Sequence, residues 1–342
     1  MPDMEFGCLA TAIGSMPQTN PQSACAQVVH YLKDIPAWPQ LPRRSFRENM
    51  YVQYSEGFPG VVLKESRIHI DRTEAQGKAL EELYSAYLRG DSEGFGVGYE
   101  YAAGLHTFLA MPGLSPLAVK GQVTGPVTWG LTVTDEDRKA IIYDDVLGDA
   151  VPKFLRLKAS WQEKALKQVS RNTIIFIDEP YMAAYGSVGV ALEKEKIVSL
   201  LDEVFEGISG IKGVHCCGNT DWSLLLETKT DIVSYDTYNF AGSLSLYPEE
   251  VRRFLERKGA IAWGIVPNDA DALTGETVAS LKDRLEEAMA PFTRKGIRFK
   301  QLIEQGLLTP SCTLASLDTE EAAGRALELL AELSREIRKK YI

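Results

Sequence analysis

From Asn172 onward the chain alternates apolar runs with helical stretches so regularly that few folds can accommodate it. IIFID, IKGVHC, DIVSYD, IAWGIV and LLTPSC are short runs rich in β-branched residues, each separated from the next by enough chain for a helix. Strand, helix, strand in repetition is the pattern of successive βαβ units, whose strands lie parallel beneath covering helices. Upstream, residues 8 to 14, Ala37 to Leu41 and residues 117 to 123 read as three further strands. Five plus three predicts an α/β chain closed into a barrel, although a doubly wound open sheet satisfies the same periodicity.

The expected architecture is therefore a (β/α)8 TIM barrel forming one domain over residues 1–342, with insertions at about 42–115 and 181–210. Within the first insertion, Glu48 to Glu56 reads as helical and VVLKESRIHI as a hairpin. A helix from Thr73 follows, carrying Leu80, Leu83, Tyr84 and Tyr87 as its apolar stripe. A long helix is expected from Asp149 to Ser170.

Composition excludes several function classes. A net charge of -10 and a pI near 5.1 leave no basic footprint for nucleic acid or an anionic membrane. The N-terminus lacks the basic start and apolar core of a secretory signal, and no apolar run reaches the length of a membrane span, so a cytoplasmic protein is expected. Five cysteines without regular spacing do not make a disulfide framework, and in a reducing compartment a clustered subset suggests metal or catalysis.

The cluster lies in IKGVHCCGN, Ile211 to Asn219. Side chains alternate along a strand, so His215 and Cys217 face one way and Cys216 the other. Imidazole and thiolate are preferred ligands of Zn(II), and Cys312 in TPSCTL, at the end of another predicted strand, supplies a third. Buried cysteines beside a satisfied histidine would give the same local pattern. Cys8, Cys25 and Cys216 read as core residues, and His30, His69 and His106 as structural or surface ones. In a barrel, function gathers at the C-terminal ends of strands. Ser15, Thr124, Asp178, Glu179, His215, Cys217, Asp236, Asn268, Asp269 and Cys312 all fall there.

Five motifs in order, IGSMPQT at 13 to 19, VTGPVT at 123 to 128, IDEP at 177 to 180, HCC at 215 to 217 and PSC at 310 to 312, carry a resemblance. Together they resemble the C-terminal catalytic barrel of cobalamin-independent methionine synthase, in the superfamily that includes uroporphyrinogen decarboxylase and the methylcobalamin:coenzyme M methyltransferases. The resemblance spans nearly the whole chain but only one barrel of the folate-dependent enzyme's two, which fits a single-barrel, core methionine synthase. It implies that His215, Cys217 and Cys312 bind zinc, with Asp236 where the family has a glutamate ligand. It implies that Ile13, Gly14 and Ser15 hold the carboxylate of homocysteine and that Asp178 receives its ammonium group. A further family glutamate near the amine matches Glu56, with Glu48 and Gln53 as alternatives.

Two departures from that family concern the methyl donor. Ala184 stands where the folate-dependent enzyme has a folate-contacting glutamate, and WGIVPNDADAL lacks the family's histidine proton donor. The resemblance then implies a donor other than methyltetrahydrofolate. Methylcobalamin is expected, free or on a separate corrinoid protein, since no Asp-x-His-x-x-Gly signature is present. Tyr181 and Tyr185 are candidates to line the mouth for that macrocycle. The expected activity is zinc-dependent methyl transfer to homocysteine, giving methionine. A methyltransferase for another thiol such as coenzyme M, and a decarboxylase-like barrel without zinc, are the competing readings.

Overall fold

The computed structural model describes residues 4–187 and 190–342. Its strands are β1 (Leu9–Ala10), β2 (Val61–Lys64), β3 (Arg67–Ile70), β4 (Val119–Thr124), β5 (Thr173–Asp178), β6 (Ile211–Cys216), β7 (Ile232–Tyr235), β8 (Ala260–Val266) and β9 (Gly306–Pro310). Seven of them form one sheet in the order β1-β9-β8-β7-β6-β5-β4, and β2 and β3 form a separate antiparallel hairpin. Every pairing in the large sheet is parallel. The βαβ reading thus holds from β4 to β9, with helices such as Leu147–Leu166, Lys194–Phe205 and Val278–Arg294 in the crossovers.

The expected strand at Ala37 to Leu41 is not a regular strand. Residues 37 and 40 make isolated parallel bridges, Ala37 to Lys120 beside β4 and Gln40 to Ser15 beyond β1. Trp38 N–H donates to Lys120 O, and Gln40 N–H donates to Gly14 O. Pro36 and Pro39 have no N–H to offer, so the segment touches both sheet edges without building a continuous ladder. The strand expected over residues 8 to 14 is likewise only Leu9–Ala10, with its later contact made as the Ser15 bridge.

Alternation divides the core in two. One buried cluster contains Leu9, Ala118, Ile174, Phe176, Ile211, Ile232, Ala260, Ala262 and Leu307 from the inner face of the curled sheet. A larger cluster lies between the outer face and the helices. Following the inner face toward the C-terminal ends changes its character, because period-two continuation brings Lys120, Gln122, Asp178, His215, Ser234 and Thr309 into line above the apolar floor. All six are buried. Buried polar groups at one end of an apolar interior mark the end where a ligand is handled.

The first insertion holds the expected hairpin and the helix Glu74–Arg89, whose N-cap is Thr73. The helix expected from Glu48 to Glu56 breaks into a 3-10 turn, Phe46–Glu48, and a short helix, Met50–Gln53. It is fixed near the sheet by two bonds to its own carbonyls: Thr124 Oγ1 donates to Met50 O at 2.5 Å and Trp129 Nε1 donates to Tyr51 O at 2.9 Å. The insertion expected at 181–210 contains the helix Lys194–Phe205. Among the described residues no helix is long and apolar enough to cross a membrane.

Candidate metal centre

His215, the last residue but one of β6, lies beside Ser234 of β7, in register, and its Nδ1 lies 3.0 Å from Ser234 Oγ. With Nδ1–H donating to that hydroxyl, the lone pair of Nε2 is left free. Nε2 is buried and has no hydrogen-bond partner among the described residues. A buried imidazole nitrogen with its other nitrogen anchored is the usual arrangement of a metal-ligating histidine.

Two residues later Cys217 reaches the same space, and Cys312 enters from the loop after β9. The ligand atoms of His215, Cys217 and Cys312 all lie within 4.8 Å of one another. Cys312 is delivered by a loop tied down on both sides. Ser311 Oγ donates to Asn268 Oδ1 at 2.8 Å, while Leu314 N–H and Ala315 N–H donate to Ser15 O. A register shift between Gly264 and Val266 against β9 precedes this loop. Cys216, on the other face, is fully buried and its thiol donates to Gly218 O, the core role expected of it.

Cys217 and Cys312 shift each other's titration in opposite directions. Hydrogen bonding with Cys312 is the main influence that brings Cys217 down to about 4, against its desolvation, with the His215 ring adding to the effect. The same contact pushes Cys312 well above the ordinary thiol range. Two thiols and one free imidazole nitrogen at this spacing suit a borderline-soft cation such as Zn(II), which His215, Cys217 and Cys312 would hold.

Asp236 lies outside this group. Its Oδ1 accepts from Asn239 N–H at 2.8 Å as the N-cap of the short helix Thr237–Phe240, and its Oδ2 accepts from the side-chain Nδ2 of the same Asn239 at 2.7 Å. Burial raises its pKa despite those bonds. The shorter side chain, compared with the glutamate anticipated by resemblance, stays with its own turn.

Asp178 faces the same interior from β5, paired in register with His215. Its Oδ1 is buried without a partner, and burial raises it to about 6 against the pull of Lys120 and His215. Glu179 points elsewhere: it accepts from Val127 N–H at 2.9 Å and Thr128 N–H at 2.7 Å, capping the helix Pro126–Thr132. The IDEP motif therefore contains one residue aimed into the chamber and one that holds the VTGPVT turn in place.

The Ile13, Gly14, Ser15 turn is held by Gln40 and Gln122, which sequence reasoning passed over, and through Gln40 by Gln53, which it offered as an alternative. Gly14 has φ +148, and a Cβ there would come within 2.7 Å of the side chains of Gln122 and Gln40, so the turn requires glycine. Ser15 Oγ donates to Gln40 Oε1 at 3.2 Å, and Gln40 Nε2 donates to Gln53 Oε1 at 2.6 Å. Gln53 is thus linked to the turn. Glu56 is not: its carboxylate accepts from Gly98 N–H at 2.6 Å and lies near the buried Lys158. Glu48 pairs with Arg44 at 2.7 Å.

At the rim, the rings of Tyr51 and Tyr181 meet edge to face with centroids 6.5 Å apart. Burial, Tyr181 and Cys217 all raise the Tyr51 phenol, which sets this pair beside the thiols. Tyr185, the other aromatic expected there, packs against the outer core. Tyr51, Ser234, Lys120, Gln40 and Gln122 are the residues missed from sequence. For Ser234, Lys120 and Gln122 the signal existed, because each is a polar residue on the inner parity of a strand otherwise lined by apolar ones.

No protein-family profile matches the chain and no curated protein matches it. Solved structures do. A B12-independent methionine synthase from Shewanella sp. W3-18-1, in complex with selenomethionine, superposes with a TM-score of 0.58 at 14% identity, covering 98% of this chain and 99% of that one. A putative vitamin-B12 independent methionine synthase from Listeria monocytogenes gives 0.61 at 14% identity over 98% and 99%. A methyltransferase from Methanosarcina mazei gives 0.59 at 14% identity over 98% and 95%. The chain resembles these barrels over nearly its full length, and what it shares with them is the fold.

Proposed function

We propose that the chain is a zinc-dependent methyltransferase that moves a methyl group to the thiol of L-homocysteine, giving methionine. The observation that carries this reading is the convergence of His215, Cys217 and Cys312, from β6 and the loop after β9, around a buried imidazole nitrogen that has no hydrogen-bond partner among the described residues. We also read the bridges at Ala37 and Gln40 as the eighth stave of a (β/α)8 barrel, which puts this convergence at its C-terminal mouth.

An unperturbed thiol has a pKa of roughly 8.5, so only a few per cent is thiolate near neutral pH. Zn(II) held by the three side chains would lower that pKa, each unit being worth about 1.4 kcal/mol, and keep the sulfur nucleophilic. The chain's own residues supply orientation. Asp178, with its free Oδ1, takes the substrate ammonium group, and the Ile13, Gly14, Ser15 turn takes its carboxylate, so that the sulfur faces the donor's methyl carbon. Ser234 fixes the ring of His215. Asp236 and Glu56 have no part in this scheme, since both carboxylates are engaged elsewhere.

The donor proposed is methylcobalamin, supported by Ala184 and by the histidine-free run from Trp263 to Leu273. Two of the similar structures are described as B12-independent, which points to another donor for those proteins. Anaerobic incubation of the zinc-loaded protein with methylcobalamin or methyltetrahydrofolate and a thiol panel decides the matter. Methionine from methylcobalamin and homocysteine supports the full proposal. Product only with methyltetrahydrofolate overturns the donor, faster turnover with coenzyme M overturns the acceptor, and a protein that takes up no zinc overturns the reading altogether.

A further inference from the structure

Lys120 and Lys158 are both fully buried, but Lys120 alone of the two stands on the inner face of the sheet. It has no exposed surface, it stands 4.2 Å over the ring of Phe176, and a lysine is almost never fully buried unless something uses its charge. Among the described residues no ion pair joins it to a carboxylate, although Asp178 is near enough to influence it. Instead Nζ donates to Ile13 O at 2.7 Å and to Gln122 Oε1 at 3.2 Å. Gln122 in turn donates to Trp38 O at 3.3 Å and flanks Gly14 together with Gln40.

Two opposite charges thus lie buried at the same end of the interior, near enough to influence each other but without an ion pair between them, Asp178 with an unpartnered oxygen and Lys120 beneath the Ile13, Gly14, Ser15 turn. A structural bond to Ile13 O needs only a neutral donor. A cation there adds what a neutral donor lacks, a weakly screened positive field at the turn. The bond also fixes the peptide plane between Ile13 and Gly14, and with it the direction of the Gly14 N–H.

We infer that Lys120 is a positioning residue that makes the site select thiols bearing a carboxylate, by orienting and charging the turn that receives it. The inference rests on the homocysteine reading above. Together with Asp178 it makes the chamber complementary to a zwitterionic amino-acid end, ammonium toward the carboxylate and carboxylate toward the lysine-backed turn.

The test uses the zinc-loaded full chain and two ligands, homocysteine and 3-aminopropane-1-thiol, which keeps the amine and thiol but lacks the carboxylate. Wild type should bind homocysteine at least tenfold more tightly. Lys120→Gln, which retains a donor to Ile13 O without the charge, and Lys120→Met should lose at least tenfold in affinity for homocysteine, with zinc content and affinity for the decarboxylated thiol within about threefold of wild type. Equal weakening toward both ligands, or none, overturns the inference and leaves the homocysteine reading standing. If neither variant folds, lysine side-chain NMR of wild type decides: the signal shifted by the Phe176 ring should move with homocysteine and not with the decarboxylated thiol, and equal response to both overturns the idea. Failure of zinc-loaded wild type to bind either thiol sinks both readings.

Discussion

At the scale of single residues, the side chains that would hold zinc differ from their carboxylate neighbour Asp236 in having ligand atoms not engaged by a helix cap. Cys217→Ala and Cys312→Ala should each reduce bound zinc from about one per chain to near zero, measured by metal analysis, because two protein ligands hold zinc poorly. Ser234→Ala should keep one zinc at saturation but weaken affinity about 10- to 100-fold in a chelator competition, since it removes the partner of His215 Nδ1. Asp236→Asn should leave zinc stoichiometry unchanged, because asparagine caps helices as well as aspartate does; loss of zinc would make Asp236 a ligand after all. The convergence of His215, Cys217 and Cys312 was legible in the sequence because histidine and cysteine at a strand end are uncommon and alternation fixes which of them share a face. Asp236 was not, since a strand-end carboxylate serves equally as cap or ligand, and only the position of Asn239 decides between them. Glu56 was misleading for a related reason: its helix breaks after Gln53, which sends its carboxylate to Gly98.

At the scale of elements, the segment 36–40 and the first insertion need specific contacts to stay in place. Gly104, in the helix Ala103–Leu109, packs so tightly on Pro39 that a Cβ would collide with the Pro39 carbonyl oxygen, a backbone atom that cannot swing aside. Gly104→Ala should therefore destabilise the protein by roughly 1–3 kcal/mol despite its better helix propensity, read from denaturant midpoints. Lys158, on the helix Leu147–Leu166, anchors the insertion by donating to Glu56 O at 2.6 Å and Gly96 O at 2.7 Å. Burial lowers it from 10.5 to about 8. Between those values the unfolded chain holds a proton that the folded chain has released, so unfolding takes up a proton and folding stability rises with pH. Wild-type stability relative to Lys158→Met should accordingly climb from pH 8 to pH 10.5, by roughly 3 kcal/mol at most; a flat difference would contradict it. Strand alternation from β5 to β9 was readable because each run is apolar and ends in turn residues. The stretch at 37–41 also alternates, yet its prolines remove the N–H groups a ladder requires, and periodicity does not register a missing donor.

For the whole molecule, the interior is divided into an apolar floor and a polar mouth, and the sequence carries that division in the parity of every strand. Parity can be read only once the inner face is known, which is why Lys120 and Gln122 passed as ordinary members of a buried strand. The methyl donor is less legible still, because it depends on what the mouth admits and not on which residues line the strands. Binding energy at the mouth should appear as global stability, since zinc held by His215, Cys217 and Cys312 would join segments nearly a hundred residues apart. Saturating Zn(II) should raise the thermal midpoint of wild type and leave that of Cys217→Ala unchanged. The most direct test of the central claim is zinc-edge X-ray absorption on the protein with and without homocysteine. The account predicts a zinc shell of two sulfurs and one imidazole nitrogen that gains a third sulfur when homocysteine is added. A shell without sulfur, or a sulfur count that homocysteine does not change, would contradict it.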